Sequence, residues 1–178
     1  AGGHRVSFLR PAEASLTGTL ALIPQVVDAV RIPVIAAGGI ADGRGIAAAL
    51  ALGAQGVQIG TAFLACAESA ASLPHRSALF SPEARHTTLT RVFSGRLARG
   101  IHNRFVDALK PFEADVPAYP VQNWLTGHLK RAAIAQNRPE LMSLWAGQGA
   151  PLLQHRQARP LMQALIEQTE AVLRRVAQ

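Results

Sequence analysis

The sequence predicts an α/β fold built on parallel strands, and three observations predict it. Pro33-Val34-Ile35-Ala36-Ala37 is a β-prone run that ends in Gly38-Gly39, with a helix-forming segment close behind. Gly56-Val57-Gln58-Ile59-Gly60-Thr61 is a second short apolar strand that also ends in glycine. The alanine-rich segment between them is helical and joins the strands through short connections, which makes a βαβ unit and therefore a parallel sheet.

The remaining elements follow in order. Residues 20–30 read as a helix with apolar positions at 20, 23, 26, 27 and 30. Strands are expected at 33–37 and 56–60, with a helix at 43–52. Residues 67–80 read as helical but broken near Pro74, because proline in a helix interior removes a hydrogen bond and clashes with the preceding turn. Residues 87–93 are β-prone, and Ser94-Gly95-Arg96 turns the chain out of them. Pro111, Pro117 and Pro120 mark an irregular connector, after which 122–136 reads as a helix and 143–151 as a loop with Gly147 and Gly149. Residues 158–176 close the chain as an amphipathic helix, apolar at 161, 165, 172, 173 and 176.

Length and composition fit a globular domain with a sizeable core. The chain opens on Ala1 rather than Met, at a motif that looks like the end of a strand, and so reads as a piece whose upstream half is absent. The single Cys66 rules out an internal disulfide and points to a reducing cytoplasm. Residues 45–67 carry no charge, yet Gly53-Ala54-Gln55-Gly56 breaks them with turn chemistry, so a buried helix and strand are expected there rather than a membrane span. The net charge of +7 comes largely from arginine, densest at Arg85, Arg91, Arg96, Arg99 and Arg104. Without aromatic interleaving or a nucleic-acid motif, that excess reads as a solvated surface or an attraction for anionic small molecules, not nucleic acid.

The two glycine ends carry the chemistry. Glycine at a strand end lets the backbone take positive φ and approach a phosphate, and a following helix N-terminus attracts its charge. Two such ends on neighbouring strands resemble the phosphate-gripping loops after the last strands of a (β/α)8 barrel. The N–H groups of Gly39, Gly60 and Thr61, with the Thr61 hydroxyl, are the expected donors. His4 follows Gly2-Gly3 at an expected strand end, and its position alone leaves it open between a proton-handling imidazole and a structural one. The other histidines show no metal-ligand spacing, so no metal site is expected, and Cys66 reads as a buried, inert thiol rather than a nucleophile.

Several strings resemble the nitronate monooxygenases, FMN-dependent barrel enzymes formerly called 2-nitropropane dioxygenases. They are Ala1-Gly2-Gly3-His4-Arg5, the segment 18–30, both strand motifs through Gln58-Ile59-Gly60-Thr61-Ala62-Phe63, and the segments 93–101, 103–105, 119–123 and 141–149. The resemblance covers most of residues 1–150 and is most specific in the first 65. It implies that His4 is the catalytic residue and that Gly2, Gly39, Gln58, Ile59, Gly60 and Thr61 contact FMN, with Gly38 forming the same turn. The implied reaction is oxidative denitrification of an alkyl nitronate, or of the parent nitroalkane, with dioxygen, giving a carbonyl compound and nitrite.

On that reading residues 1–66 supply the last strands of a (β/α)8 TIM barrel with its FMN phosphate loops, and 67–178 form a mainly helical C-terminal region packed on it. The upstream strands would come from a missing N-terminal half. Val6 stands where the family commonly has glycine, which implies a stiffer loop behind His4, and residues 7–17 match poorly. Two alternatives stay open. One is a flavin-dependent enoyl-acyl carrier protein reductase, which shares barrel and glycine loops but consumes NAD(P)H. The other is an isolated half-barrel without activity.

Overall fold

The computed structural model describes residues 2–4 and 9–178. Its first unit is the expected βαβ. Helix α1 (Thr19–Ala29) leads into strand β1 (Ile35–Ala37), helix α2 (Gly43–Ala51) and strand β2 (Gly56–Gln58). The two strands pair in parallel, with Ile35 opposite Gly56 and Ala37 opposite Gln58. Ile23, Ala36, Ile40, Ala49 and Ala54 form the core beneath this unit. Strand β1 begins at Ile35 rather than 33, and β2 ends at Gln58 rather than 60 because Ile59 and Gly60 leave the ladder and the chain turns at once into a short helix α3 (Thr61–Leu64).

The next stretch corrects the expectation of a helix broken near Pro74. Helix α4 is Leu73–Leu79, and Pro74 lies in its first turn, where the missing N–H has no partner to lose. Strand β3 ends at Thr90 rather than 93, because 91–95 turn back with Gly95 at φ 79°. Its antiparallel partner, strand β4 (Ala98–Ile101), was not expected; Thr87 pairs with Ile101 and Thr90 with Ala98. On its other side β4 takes up the 144–146 segment through a Gly100–Trp145 bridge, and a Cβ on Gly100 would lie 2.8 Å from the Leu144 carbonyl oxygen.

His4 forms an antiparallel bridge to Ala98, and the Arg99 N–H donates to the Gly3 carbonyl at 3.1 Å. Ala1 and Val6, with the stiffness expected of the loop behind His4, lie outside the described residues.

Helix α5 (Arg104–Leu109) is capped by Asn103, whose side chain accepts from the Val106 N–H. The helix expected at 122–136 is two, α6 (Val121–Leu125) and α7 (Gly127–Ala135). Helix α8 (Ala158–Val176) matches its expected bounds and packs on α2 so closely that a Cβ on Gly43 would fall 2.4 Å from Gln168. Leu161 and Leu165 are buried against Ala62 and Cys66, whereas Leu173 and Val176 stay exposed, so the apolar stripe serves only the first half of the helix. Among the described residues no helix is long and apolar enough to cross a membrane.

Candidate functional site

A cleft of about 450 Å³ gathers residues from four separate stretches of chain. Gly2, Gly3 and His4 form one wall; Gly38 and Gly39 follow β1; Gln58, Gly60 and Thr61 follow β2; Gly147 and Gly149 come from the loop at 143–151. The βαβ unit therefore brings both glycine ends to one place, and the bridge from His4 to Ala98 brings the histidine to the same cleft.

The turn at Gly38-Gly39 needs its glycines. Both take positive φ, 104° and 77°, where side chains are strained. A Cβ on Gly38 would lie 3.0 Å from the Gly2 nitrogen, so this turn and the Gly2-Gly3 segment pack backbone to backbone. Thr19 Oγ1 donates to the Gly38 carbonyl at 2.9 Å and fixes the turn from α1. Gly60 is different. Its Cβ would meet no atom within 4 Å, so a side chain there would project into open space beside the cleft. The N–H groups of Gly39, Gly60 and Thr61 donate to no other described residue.

One part of the anion-site expectation is corrected. The N-terminus of α2 is already occupied, because Asp42 Oδ1 accepts from the N–H groups of Arg44 and Gly45 at 3.0 and 3.2 Å. The Gly43 N–H donates to Gln168 Oε1 at 3.1 Å. These donors face their own cap and α8, and the glycine backbone rather than this helix end is left to hold an anion. The two remaining residues assigned to cofactor contact differ. Gln58 is exposed and lines the cleft, while Ile59 packs its side chain into the cores on either side and offers only its backbone.

His4 Nε2 lies 3.5 Å from Ser94 Oγ. The Ser94 hydroxyl donates to the Arg96 carbonyl at 3.1 Å and accepts from the Arg96 N–H at 3.3 Å. The loop that carries Ser94 is pinned from behind, by Gln122 Nε2 on the Val92 carbonyl and Thr126 Oγ1 on the Phe93 carbonyl, each at 2.6 Å. Trp145 stands edge-on to the imidazole with centroids 4.6 Å apart. Although His4 keeps an exposed edge, partial burial of the ring holds its pKa below the ordinary histidine value, and the charges of Arg96 and Lys130 push the same way. His4 is therefore neutral at pH 7, with one nitrogen able to accept a proton.

Reading the sequence missed Ser94, Trp145, Gly147 and Gly149 as parts of this site. The signal was the Trp145-Ala146-Gly147-Gln148-Gly149 string, two glycines within three residues of a loop. A Cβ on Gly149 would lie 2.8 Å from the Gly39 carbonyl oxygen, so that loop closes directly on the first glycine turn. Cys66 is buried, its thiol donates to the Ala62 carbonyl, and burial raises its pKa, which leaves an unreactive thiol.

The comparisons with known proteins point one way. The family model described as nitronate monooxygenase matches residues 1–168. Proteins called probable nitronate monooxygenase from Staphylococcus aureus strains Newman and JH9 are each 47% identical over 174 residues, covering 97% of this chain and 49% of theirs. A nitroalkane oxidase from Streptomyces ansochromogenes superposes over all of this chain and 51% of its own, with TM-score 0.91 and 42% identity. FabK from Thermotoga maritima superposes over 99% of this chain and 54% of its own, with TM-score 0.79 and 29% identity. The chain thus spans about half the length of the relatives it matches.

Proposed function

The chain belongs to the nitronate monooxygenase family, and on that premise we propose that it carries the phosphate cradle and the proton-handling wall of an FMN-dependent nitronate monooxygenase. The observation that carries the reading is the convergence of Gly39, Gly60, Thr61 and His4 on one cleft. In the same reading β1 and β2 are the last strands of a (β/α)8 barrel, whose active sites gather at the C-terminal ends of the strands.

The residues present fit FMN. Gly60 faces space that a Cβ would enter, and backbone N–H groups with positive-φ glycines are a common phosphate nest. Gly39, Gly60 and Thr61 would hold the phosphate, and Gly2, Gly38, Gln58 and the Ile59 backbone would lie along the rest of the cofactor. Bound FMN would supply the electron transfer between organic substrate and dioxygen.

The chain's own residues supply positioning and proton control. The positive charges of Arg96 and Lys130 act on the His4 side of the cleft, and the field that disfavours a protonated imidazole favours an anionic nitronate. His4, neutral and carrying one N–H, donates a hydrogen bond to the nitronate oxygens. With a neutral nitroalkane, its unprotonated nitrogen instead takes the proton from the carbon bearing the nitro group. The products are a carbonyl compound and nitrite.

The test is a visible spectrum of the purified protein followed by nitrite release from an alkyl nitronate in air. A flavin spectrum with nitrite release supports the proposal. Anaerobic NAD(P)H oxidation without nitrite release would favour the reductase alternative, and a colourless, inactive protein would favour neither enzyme.

A further inference from the structure

Behind the loop that closes the cleft lies a second concavity of about 380 Å³, walled by Arg85, His86, Thr87, Thr88, His102 and Gln148 with Ala84. No carboxylate lines it. Gln148 separates Gly147 from Gly149, so this hollow and the cleft share one loop while facing different residues.

Its donors are placed by the fold. The His102 N–H donates to the His86 carbonyl at 2.9 Å, which extends the Thr87–Ile101 register by one pair and sets the two imidazoles opposite each other across the strands. Arg99 Nη1 donates to Thr87 Oγ1 at 3.1 Å and to the Thr87 carbonyl at 3.2 Å. With that lone pair taken by a cation, the Thr87 hydroxyl keeps its own proton for an outside acceptor. Asp107, the acid that touches this wall, accepts from His102 Nε2 at 2.7 Å. Arg85 ends the 3-10 turn Pro82–Arg85, is exposed, and makes no ion pair with a described residue.

We propose that this hollow binds a phosphate group, with Arg85 as the bidentate cation and Thr87 and His86 as the surrounding donors, while His102, whose Nε2–H is held by Asp107, lines the wall beside them. A guanidinium fork matches two phosphate oxygens, and hydroxyl and imidazole N–H groups satisfy the others. The volume admits a phosphorylated small molecule as well as free phosphate.

Two phosphate sites are distinguishable by titrating inorganic phosphate, and separately AMP, into the purified protein while following the imidazole Hε1 resonances of His86 and His102. His86→Asn and His102→Asn assign those signals. Phosphate should move both resonances, Arg85→Glu should weaken that response at least about tenfold with an unchanged circular dichroism spectrum, and Arg85→Gln should fall between. Gly60→Val, which obstructs the glycine cradle, should leave the response intact, so this result does not depend on the flavin reading. Tighter response to AMP than to phosphate identifies a phosphorylated molecule as the ligand; equal response identifies phosphate itself. Failure of both resonances to move at about 20 mM phosphate overturns the proposal. So does a response lost in Gly60→Val but kept in Arg85→Glu.

Discussion

The Gly147 N–H donates to Thr61 Oγ1 at 2.9 Å, across 86 residues of chain. This bond joins the loop after β2 to the loop that closes the cleft from the C-terminal side. It also orients the threonine, because an oxygen that accepts from Gly147 retains its proton for the cleft.

Thr61→Val keeps the shape of the side chain but leaves the Gly147 N–H without its acceptor, at a cost of about 1–3 kcal/mol. It also removes a hydroxyl donor from the proposed phosphate cradle. FMN affinity, measured by flavin fluorescence quenching, should fall at least about tenfold, equivalent to about 1.4 kcal/mol. Thr61→Ser should restore most of it. Equal affinity in the valine variant and the parent removes Thr61 from the cradle.

Gly39 and Gly60 should respond differently to valine, because only Gly39 has positive φ. Gly60→Val fits its backbone and meets no protein atom at Cβ, so its melting temperature should match the parent while FMN affinity falls at least about tenfold. Gly39→Val forces a β-branched residue to φ 77°, a strain of about 1–3 kcal/mol, so stability and FMN affinity should fall together. A Gly60→Val protein that retains flavin through gel filtration contradicts the phosphate assignment.

The difference between what was legible and what was not follows the range of the interactions. The βαβ unit shows in the sequence because Val34-Ile35-Ala36-Ala37 and the alanine helix carry their own periodicity, and Gly38-Gly39 marks its turn locally. Helix α3 hides because Ile59 and Ala62-Phe63-Leu64 read equally well as an extended apolar run. Strand β4 hides because Ala98-Arg99-Gly100-Ile101 has weak strand propensity, and pairing with β3 on one side and the 144–146 segment on the other decides it. In the site, His4 and the glycine turns stood out as motifs. Ser94, Trp145 and Gly149 reach them only through tertiary packing, which spacing in sequence does not encode. The helix terminus was misread because Asp42 looks the same in sequence whether it leaves the α2 N–H groups free or, as here, accepts from them.

His4→Ala should separate binding from turnover. The imidazole lies against Ser94 and Trp145 rather than among the phosphate donors, so the variant should retain FMN. Turnover should fall by about 10²–10⁴, the usual weight of a positioned acid or base. The loss should be greater with neutral nitroalkane than with preformed nitronate, since only the former needs a proton removed. Rates within about threefold of the parent on both substrates would make His4 a structural residue.

Acid should weaken the fold through His75. This ring is buried in α4 with Nε2 3.0 Å from the Trp145 carbonyl oxygen, beneath the segment that carries the cleft loop. Burial holds its pKa below the ordinary value, outweighing the hydrogen bond, so the folded protein resists protonation that the unfolded chain accepts. The sign follows from that difference: the unfolded state binds more protons, and stability rises with pH. The contribution is full above the unfolded value of about 6.5 and is lost as pH falls through the lower folded value. His4, whose pKa is lowered as well, adds to the same slope. The carboxylates held low by their partners, Asp42 and Glu113, act only in more acidic solution. The melting temperature should therefore drop between pH 7 and about 5, and His75→Gln should flatten that drop even if it lowers the melting temperature overall. An unaltered pH slope in His75→Gln would show that the imidazole does not set it.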